Sequence, residues 1–572
     1  MKVKKIAVGI TGVAVLALIG LATFFILQMP RTLIVPDKYK DIQTAINKAR
    51  PRDTVFVKAD TYIQKTKITF KEGINLVGED MNSVIIVLGV QSRQHVIYVD
   101  SCKSGIIRNL TLEHIGEADY RLKPSGISIG NSFIEVSNCK ILNAAGSGIY
   151  VLEGGRPLIR NCLIQSSQVS GITIDGEGTS ATVRNNIFRL NGFAGIDLEN
   201  SASGEIISNV CERNGQAGIG IRTDNTGVTV KDNHCLANEG CGMYIAEGSN
   251  GRIENNICQQ NDTGIIIVDK GTNPILKGNK CIRNKQGGIV CSKSAKGQLE
   301  NNVCEENSVG ISVVKESYAI LKGNHCRKNE KAGILFAGGD GIAENNICEI
   351  NKGQGIYITS PGAHAILKNN HCRENKLQGI VFYKCIGEVA RNNTCEGNCE
   401  DGIYVVETQE PVSLHSNRCE KNDVHGIYLG RNTNCTVEEN ICTSNYDNGI
   451  MFAESAHGFA KNNRCELNHW PGIEIRHEGT FVTLKNNLCR RNNPSGIIFK
   501  EGAGGEAIGN ICENNPWSGI AVRGEDTNPV LVANKCNNNG AWGIICWSGA
   551  EPDIAEDNVT LGNWRDGIKR RD

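Results

Sequence analysis

Aromatic residues are scarce in this chain of 572 residues, at 5% of the total. Charge of one sign is also lacking: Lys+Arg and Asp+Glu are equal at 61 each, which excludes the basic footprint of a nucleic-acid-binding protein. No charged or proline-rich linker separates the N-terminal segment from the rest of the chain. What the chain does have is 65 Gly and 24 Cys. Glycine at this level without a collagen period points to many tight turns. The cysteine count suggests a disulfide scaffold, but such scaffolds are usually short chains.

The N-terminus, MKVKK, is followed by an uncharged run of 22 residues from Ile6 to Leu27. This is long enough to span a bilayer as a helix. A cleaved signal peptide would have a shorter apolar core and a small-x-small site, and no such site precedes Arg31. Residues 1–30 are therefore expected to be an uncleaved membrane anchor, with a cleaved signal as the alternative. Three lysines precede the run and Arg31, Lys38 and Lys40 follow it, a mild charge bias. The bulk of the chain is expected outside the cytoplasm.

The rest is repetitive. NNHCRENKLQGI (369–380) recurs as NNICEINKGQGI (345–356), NNVCEENSVGI (301–311), NNRCELNHWPGI (462–473) and NNLCRRNNPSGI (486–497). Gly-Ile or its variant marks 20 units from Gly126 to Gly567, spaced 22, 23 or 24 residues apart. A short fixed period with strand-like fragments such as GIYVV predicts a β-solenoid, whose units bury a continuous core only when stacked. The expected fold is all-β, a parallel β-helix of about 20 or more coils. Residues 33–110 are expected to form the N-terminal cap and first coils, and 111–572 the regular repeats.

One asparagine column runs through 17 units from Asn186 to Asn558, and a second follows five residues later, from Asn191 to Asn563. Coils about 4.8 Å apart allow one amide to donate to the next, forming ladders at corners where asparagine also tolerates left-handed backbone. Two residues beyond the first column, 15 units carry Cys, from Cys211 to Cys536, where earlier units carry Ile141, Ile164 and Phe188. The position is apolar and faces inward, so the cysteines are read as a stacked column of reduced thiols. Parallel, in-register Cβ atoms lie too far apart for disulfides, and a line of thiols lacks the tetrahedral convergence of a zinc site. His234, His325 and His371, beside these cysteines, are expected to face out as decoration on a rung.

The N-x-C/I-x-x-N…GI unit resembles the parallel β-helix repeat of the pectate-lyase-like superfamily. The stretch VPDKYKDIQTAINKARPRDTVFVKADTY (35–62) is similar to the usual opening of such domains. The resemblance implies a right-handed helix of three short sheets, its open end plugged by an amphipathic helix, here about Asp41 to Arg50, before a first strand, TVFV. The repeat style is similar to that of carbohydrate-binding and sugar-hydrolase β-helices, including periplasmic proteins of the NosD copper-maturation type.

The resemblance implies a site on the outer face of one sheet, walled by long loops. Repeats this regular leave no loop for a deep cleft. The paired aspartates of polygalacturonases and pectin esterases and the Asp-Pro-His-Glu pattern of alginate epimerases are not found. Three surface features remain. Side-chain alternation directs the second and fourth residues after each Gly outward. This places Asp175, Asp197, Glu199 and Arg222 on one face, with Asp224 just beyond. Such carboxylates could tune one acid for proton transfer or, as Asp197, Glu199 and Asp224, hold Ca²⁺, the one cofactor considered; otherwise they are a solvated charge ladder. Arg476, Lys500 and Arg523 fall in one column beside Glu474, either a solvated face or a line of cations suited to an acidic polysaccharide. All five tryptophans lie in the last 103 residues. Trp470, Trp517 and Trp542 occupy nearly the same turn before Gly-Ile, as a ridge for stacking on sugar rings or as a cap for the solenoid end. Tyr357, Tyr404 and Tyr428 add a milder outward stripe.

The leading expectation is a membrane-anchored, extracytoplasmic β-helix that binds carbohydrate or another cell-surface polymer. Two alternatives stay open. One is a polysaccharide lyase, hydrolase or epimerase acting near Asp175 to Asp224. The other is a protein-interaction or metal-maturation scaffold of the NosD kind, using thiols outside the column such as Cys102, Cys241, Cys385, Cys399 and Cys435.

Overall fold

Each coil is built from three short strands, and the residues 394–415 show why. Thr394–Glu396 alternates with only Cys395 buried, and Ile403–Val406 and Val412–His415 likewise turn Ile403, Val405, Val412 and Leu414 inward. Every strand pairs in parallel with its equivalent one coil on: Cys395 with Cys419, Ile403 with Ile427, Leu414 with Val437. The computed structural model describes residues 29–116, 124–224, 227–387, 389–565 and 567–571. The apolar run from Ile6 to Leu27 lies outside these. Among the described residues no helix is long and apolar enough to cross a membrane.

The chain forms two compact units, one up to Gly192 and one from Phe193. Each is a right-handed parallel β-solenoid. In the first, helix α1 (Ile42–Lys48) buries Ile42, Ala45 and Ile46 and packs against the strands Thr32–Val35 and Thr54–Val57. Asp41 caps α1, accepting the Thr44 N–H at 2.7 Å, which satisfies one of the open donors of the first turn. TVFV is not the first strand: Thr32–Val35 precedes α1 and pairs with it in parallel. Ile141, Ile164 and Phe188 are fully buried at the apolar column position.

In the second unit the first asparagine column is an uninterrupted ladder. Each Nδ2 from Asn209 to Asn534 donates to Oδ1 of the next asparagine at 2.9–3.0 Å. Asn370 is typical. Its Oδ1 accepts both the backbone N–H and the Nδ2 of Asn346 at 3.0 and 2.9 Å, while its Nδ2 also reaches the Ala343 carbonyl at 2.8 Å. The left-handed corner falls one residue earlier than expected, at Asn369 (φ 54°) and Glu374 (φ 53°), so the ladder amides themselves are free of that constraint. The glycine of Gly-Ile is required by close approach: a Cβ on Gly402 would lie 2.5 Å from the Gly426 carbonyl oxygen.

The cysteine column is buried from Cys211 to Cys536, and none of the 24 cysteines is in a disulfide. Burial and hydrogen bonding to neighbouring thiols hold Cys419 and Cys465 well above the usual thiol range. His325 and His371 are partly exposed beside this column, His325 Nε2 lying 2.7 Å from Glu349 Oε1.

Candidate functional site

The strands that follow Gly-Ile in the second unit carry most of the candidate residues. Seven matter here: β1 (Ile403–Val406), β2 (Ile427–Gly430), β3 (Ile450–Phe452), β4 (Ile473–Arg476), β5 (Ser495–Lys500), β6 (Ser518–Arg523) and β7 (Trp542–Trp547). Their parallel register aligns Tyr404, Tyr428, Met451, Glu474 and Ile498 in one outer column. Arg476, Lys500, Arg523 and Trp547 align in the other.

Alternation alone does not decide exposure in the column two residues after Gly, where Tyr404 and Tyr428 are only partly buried. Asp197, Glu474 and Ala521 are all buried. The reason lies in the spacer of about three residues between the second ladder asparagine and the glycine, which rises beside the strand as a wall. The strand face is thereby the floor of a trough, and a cleft forms without any long loop.

Between β2 and β6 this trough deepens into an open cleft of about 270 Å³. Met451, Glu474, Arg476, Lys500 and Arg523 line its floor, and His425, Asp447, Asn448 and Trp470 its wall and rim. Glu474 is 3% exposed and Lys500 8%, and they pair at 2.8 Å. Two charges withdrawn this far from water persist only as a pair. Arg476 stands farther from the same carboxylate, at 3.9 Å. Among the described residues Arg523 forms no ion pair.

The wall has its own hydrogen-bonded order. Oδ1 of Asp401 accepts the backbone N–H of His425 at 3.1 Å, and Nδ1 of His425 accepts that of Asn448 at 3.2 Å. An accepting Nδ1 leaves the imidazole proton on Nε2 and the ring neutral. Asp447 Oδ1 at 3.7 Å from this Nδ1 is accordingly not in an ion pair with it. Burial pushes His425 down to about 3 and Asp401 up to about 7. Asp447 is also raised, by burial and then by the charge of Glu474. The His425 ring stacks on Tyr428 at 5.6 Å, and Tyr428 on Tyr404 at 5.0 Å, so an aromatic path leads into the cleft. Trp470, 51% exposed, stands on its rim.

The tryptophan ridge divides. Trp542 is buried, a correction to its expected place on a ligand-facing ridge. It sits one residue nearer its glycine than Trp470 and Trp517 do, and so points into the packing. Trp517 meets Trp542 and Trp547 edge-on at 5.6 and 5.1 Å, in a cluster with Ile498, Ala521 and Ile545.

The acidic candidates are differently placed. Asp175 belongs to the first unit, where it accepts the Tyr150 hydroxyl at 2.5 Å. In the second unit Arg222 holds Asp197 at 2.5 Å and Glu199 at 3.1 Å under the Phe193 ring. The guanidinium fills the place a cation would take between these carboxylates. Asp224 instead accepts the Ser201 hydroxyl at 2.7 Å. A wider hollow of about 760 Å³ opens here, walled by Phe193, Ala217, Tyr244 and Ile266. Among the described residues no three or more His, Cys, Asp or Glu side chains are grouped to hold a metal. Of the nine thiols outside the column, eight are buried rather than accessible, Cys102, Cys241, Cys385 and Cys435 among them, and Cys399 is half-buried, 4.0 Å from Lys376 Nζ.

Sequence reasoning finds Glu474, Arg476, Lys500, Arg523 and Trp470 but misses Asp401, His425, Asp447 and Asn448. The signal was present: all four lie in the last two spacer positions before Gly402, Gly426 and Gly449.

A family model described as right-handed β-helix region matches residues 72–233, 125–281, 316–465 and 471–570. A second, described as periplasmic copper-binding protein (NosD), matches residues 220–349. No curated protein matches the chain. Among solved structures, the catalytic unit of an α-1,3-glucanase from Streptomyces thermodiastaticus is 15% identical with a TM-score of 0.38, the match covering 57% of this chain and 66% of that one. The chain thus spans just under two thirds of the glucanase. An alginate lyase from Paenibacillus is 14% identical with a TM-score of 0.33, covering 48% of this chain and 94% of that one. The A-module of a mannuronan C-5 epimerase from Azotobacter vinelandii is 13% identical with a TM-score of 0.22, covering 82% and 93%.

Proposed function

Because the chain belongs to the right-handed β-helix family, we propose that it is an extracytoplasmic protein binding an extended carbohydrate along the trough from Tyr404 to Arg523. The observation that carries this is Trp470, half exposed on the rim of a cleft whose charged floor includes the buried Glu474 and Lys500. A flat indole left in water beside polar groups suits the alternating apolar and hydroxylated faces of a sugar ring. The stacked Tyr404 and Tyr428 extend the same kind of surface for further rings. Placement outside the cytoplasm, with the Ile6–Leu27 run as the anchor, is part of the proposal; the periplasmic description of the NosD family supports it.

The test is affinity electrophoresis of the chain from residue 33 onward in gels cast with a panel of acidic and neutral polysaccharides. Retardation by at least one glycan, lost in Trp470→Ala, is the expected result. Unchanged mobility in every gel overturns the reading.

One observation favours a second, catalytic reading. Asp447 and Glu474 line the same cleft in different surroundings: burial raises Asp447 above the usual carboxylate range, while Glu474 is paired with Lys500 at 2.8 Å. Two carboxyl groups set apart in this way are suited to act as acid and base. New reducing ends or unsaturated products, lost in Asp447→Asn, would support it. A product assay blank on every retained glycan would dismiss it.

A further inference from the structure

The charges in the cleft do not balance, and what is left over has a direction. Arg476, Lys500 and Arg523 stack on three successive coils, about 4.8 Å apart per step. Such a line of cations is self-repelling unless anions sit against it. Lys500 takes the Glu474 carboxylate at 2.8 Å and has Glu501 at 3.8 Å, so both of these carboxylates are engaged by the one ammonium. Burial, and then the charge of Glu474, raise Asp447, the other carboxyl group of the cleft, above the usual carboxylate range. Arg476, 3.9 Å from Glu474, keeps a buried Nε with no hydrogen-bond partner among the described residues. Arg523 is exposed and, among those residues, without an ion pair.

A second unmet group lies opposite. Nδ2 of Asn448 donates to the Met451 sulfur at 3.1 Å. A thioether only accepts, so this contact fixes the amide orientation and makes Oδ1 the free acceptor. That Oδ1, in a residue 2% exposed, has no partner among the described residues. The cleft therefore asks for three things in one molecule: an anionic oxygen for the guanidinium groups, a hydroxyl for Asn448, and a flat face for Trp470.

Resting on the carbohydrate reading above, we infer that the ligand is an acidic pyranose, carboxylated or sulfated, whose acid group is held between Arg476 and Arg523 above the Lys500–Glu474 pair. Guanidinium forks match the paired oxygens of either acid group. Lys500 serves as the fixed spacer of the site, because its ammonium is already engaged from below.

The experiment uses the full chain in gels cast with polygalacturonate, dextran sulfate or neutral dextran, with Arg523→Gln, Arg476→Gln and Trp470→Ala as variants. Thermal unfolding verifies that each variant is folded. Arg523 is exposed, so its replacement leaves the core untouched even where Arg476→Gln proves unstable. Retardation by polygalacturonate, by dextran sulfate or by both is expected, weakened roughly tenfold in each Arg variant, as for one charge-assisted hydrogen bond. Added salt should weaken it as well. Which of the two acidic gels retards the protein identifies the acid group. Equal retardation by neutral dextran, or acidic retention unchanged in both Arg variants, overturns the inference while leaving the carbohydrate reading intact. Mobility unchanged in every gel removes both. Single-stranded DNA binding with the same Arg dependence would overturn the sugar as the recognised class.

Discussion

Asp401 accepts the backbone N–H of His425 at 3.1 Å, and burial acts on the two side chains in opposite senses, raising Asp401 to about 7 and lowering His425 to about 3. Both groups are therefore neutral around pH 5, and this pair adds no charge to the wall of the cleft there. In the unfolded chain an aspartate ionises near pH 4 and a histidine near 6.5. As pH rises through the window from about 4 to 7, the unfolded state releases the aspartate proton first, so Asp401 makes stability fall. As pH drops from about 6.5 toward 3, the unfolded state binds the histidine proton first, so His425 also makes stability fall. The slopes oppose each other where the windows overlap. Asp401→Asn should expose the histidine slope and raise stability at pH 8 by up to about 4 kcal/mol. His425→Gln should expose the aspartate slope. Denaturant unfolding from pH 4 to pH 8 checks both, and identical profiles for wild type and the two variants would contradict this account.

Lys500 and Glu474 are a buried pair, and removing one partner strands the other. Lys500→Met should destabilise the second unit by about 3–5 kcal/mol. Adding Glu474→Gln should recover much of that loss, because the orphaned charge is gone. Differential scanning calorimetry of the single and double variants gives the comparison; a double variant no more stable than Lys500→Met would count against it.

The ladder predicts a local injury. Asn370→Ala leaves the backbone N–H and one of the two Nδ2 hydrogens of Asn346 without an acceptor, the other still reaching the Leu321 carbonyl. Two buried donors left unmet cost about 2–6 kcal/mol together. Because each coil touches only its neighbours, amide-exchange protection should fall around residues 340–400 and remain near Asn510. Asn370→Asp keeps an acceptor but cannot donate to Asn393, so it should be no milder.

Thiol reactivity separates the column from the surface. Of 24 cysteines only Cys399 is more than marginally exposed. Titration of native protein with a chromogenic disulfide should report about one rapid equivalent, set by burial of the rest, and all 24 in denaturant. Several rapid equivalents in the native state would place more of the thiols at the surface.

The fold was legible because its rules repeat. Asn370, Cys372, Asn375 and Gly379 recur at a fixed period, and each position has one physical role. The first is an amide ladder, the second a small apolar filler, the third a second ladder and the last a point of close approach. The charged column of Arg476, Lys500 and Arg523 was legible for the same reason, since register follows from the period. What alternation could not give was depth. It places Glu474 and Asp197 outward, which is correct in direction, but their burial depends on spacer side chains whose identity changes from coil to coil. His425, Asp447 and Asn448 lie in those positions, whose place before the glycine is periodic but whose residue types change from coil to coil. Trp542 misleads by a single residue of offset, which carries its ring from the rim into the packing.

The spacer wall and the asparagine ladders are carried by different residues of the same coil. Substitutions at Asp447, Trp470 or Arg523 can therefore change the surface one coil presents without disturbing the register that sets its distance from the next. The second unit is in this sense a ruler with editable marks. A new surface needs only a few changed letters, and the pitch at which they are set stays constant.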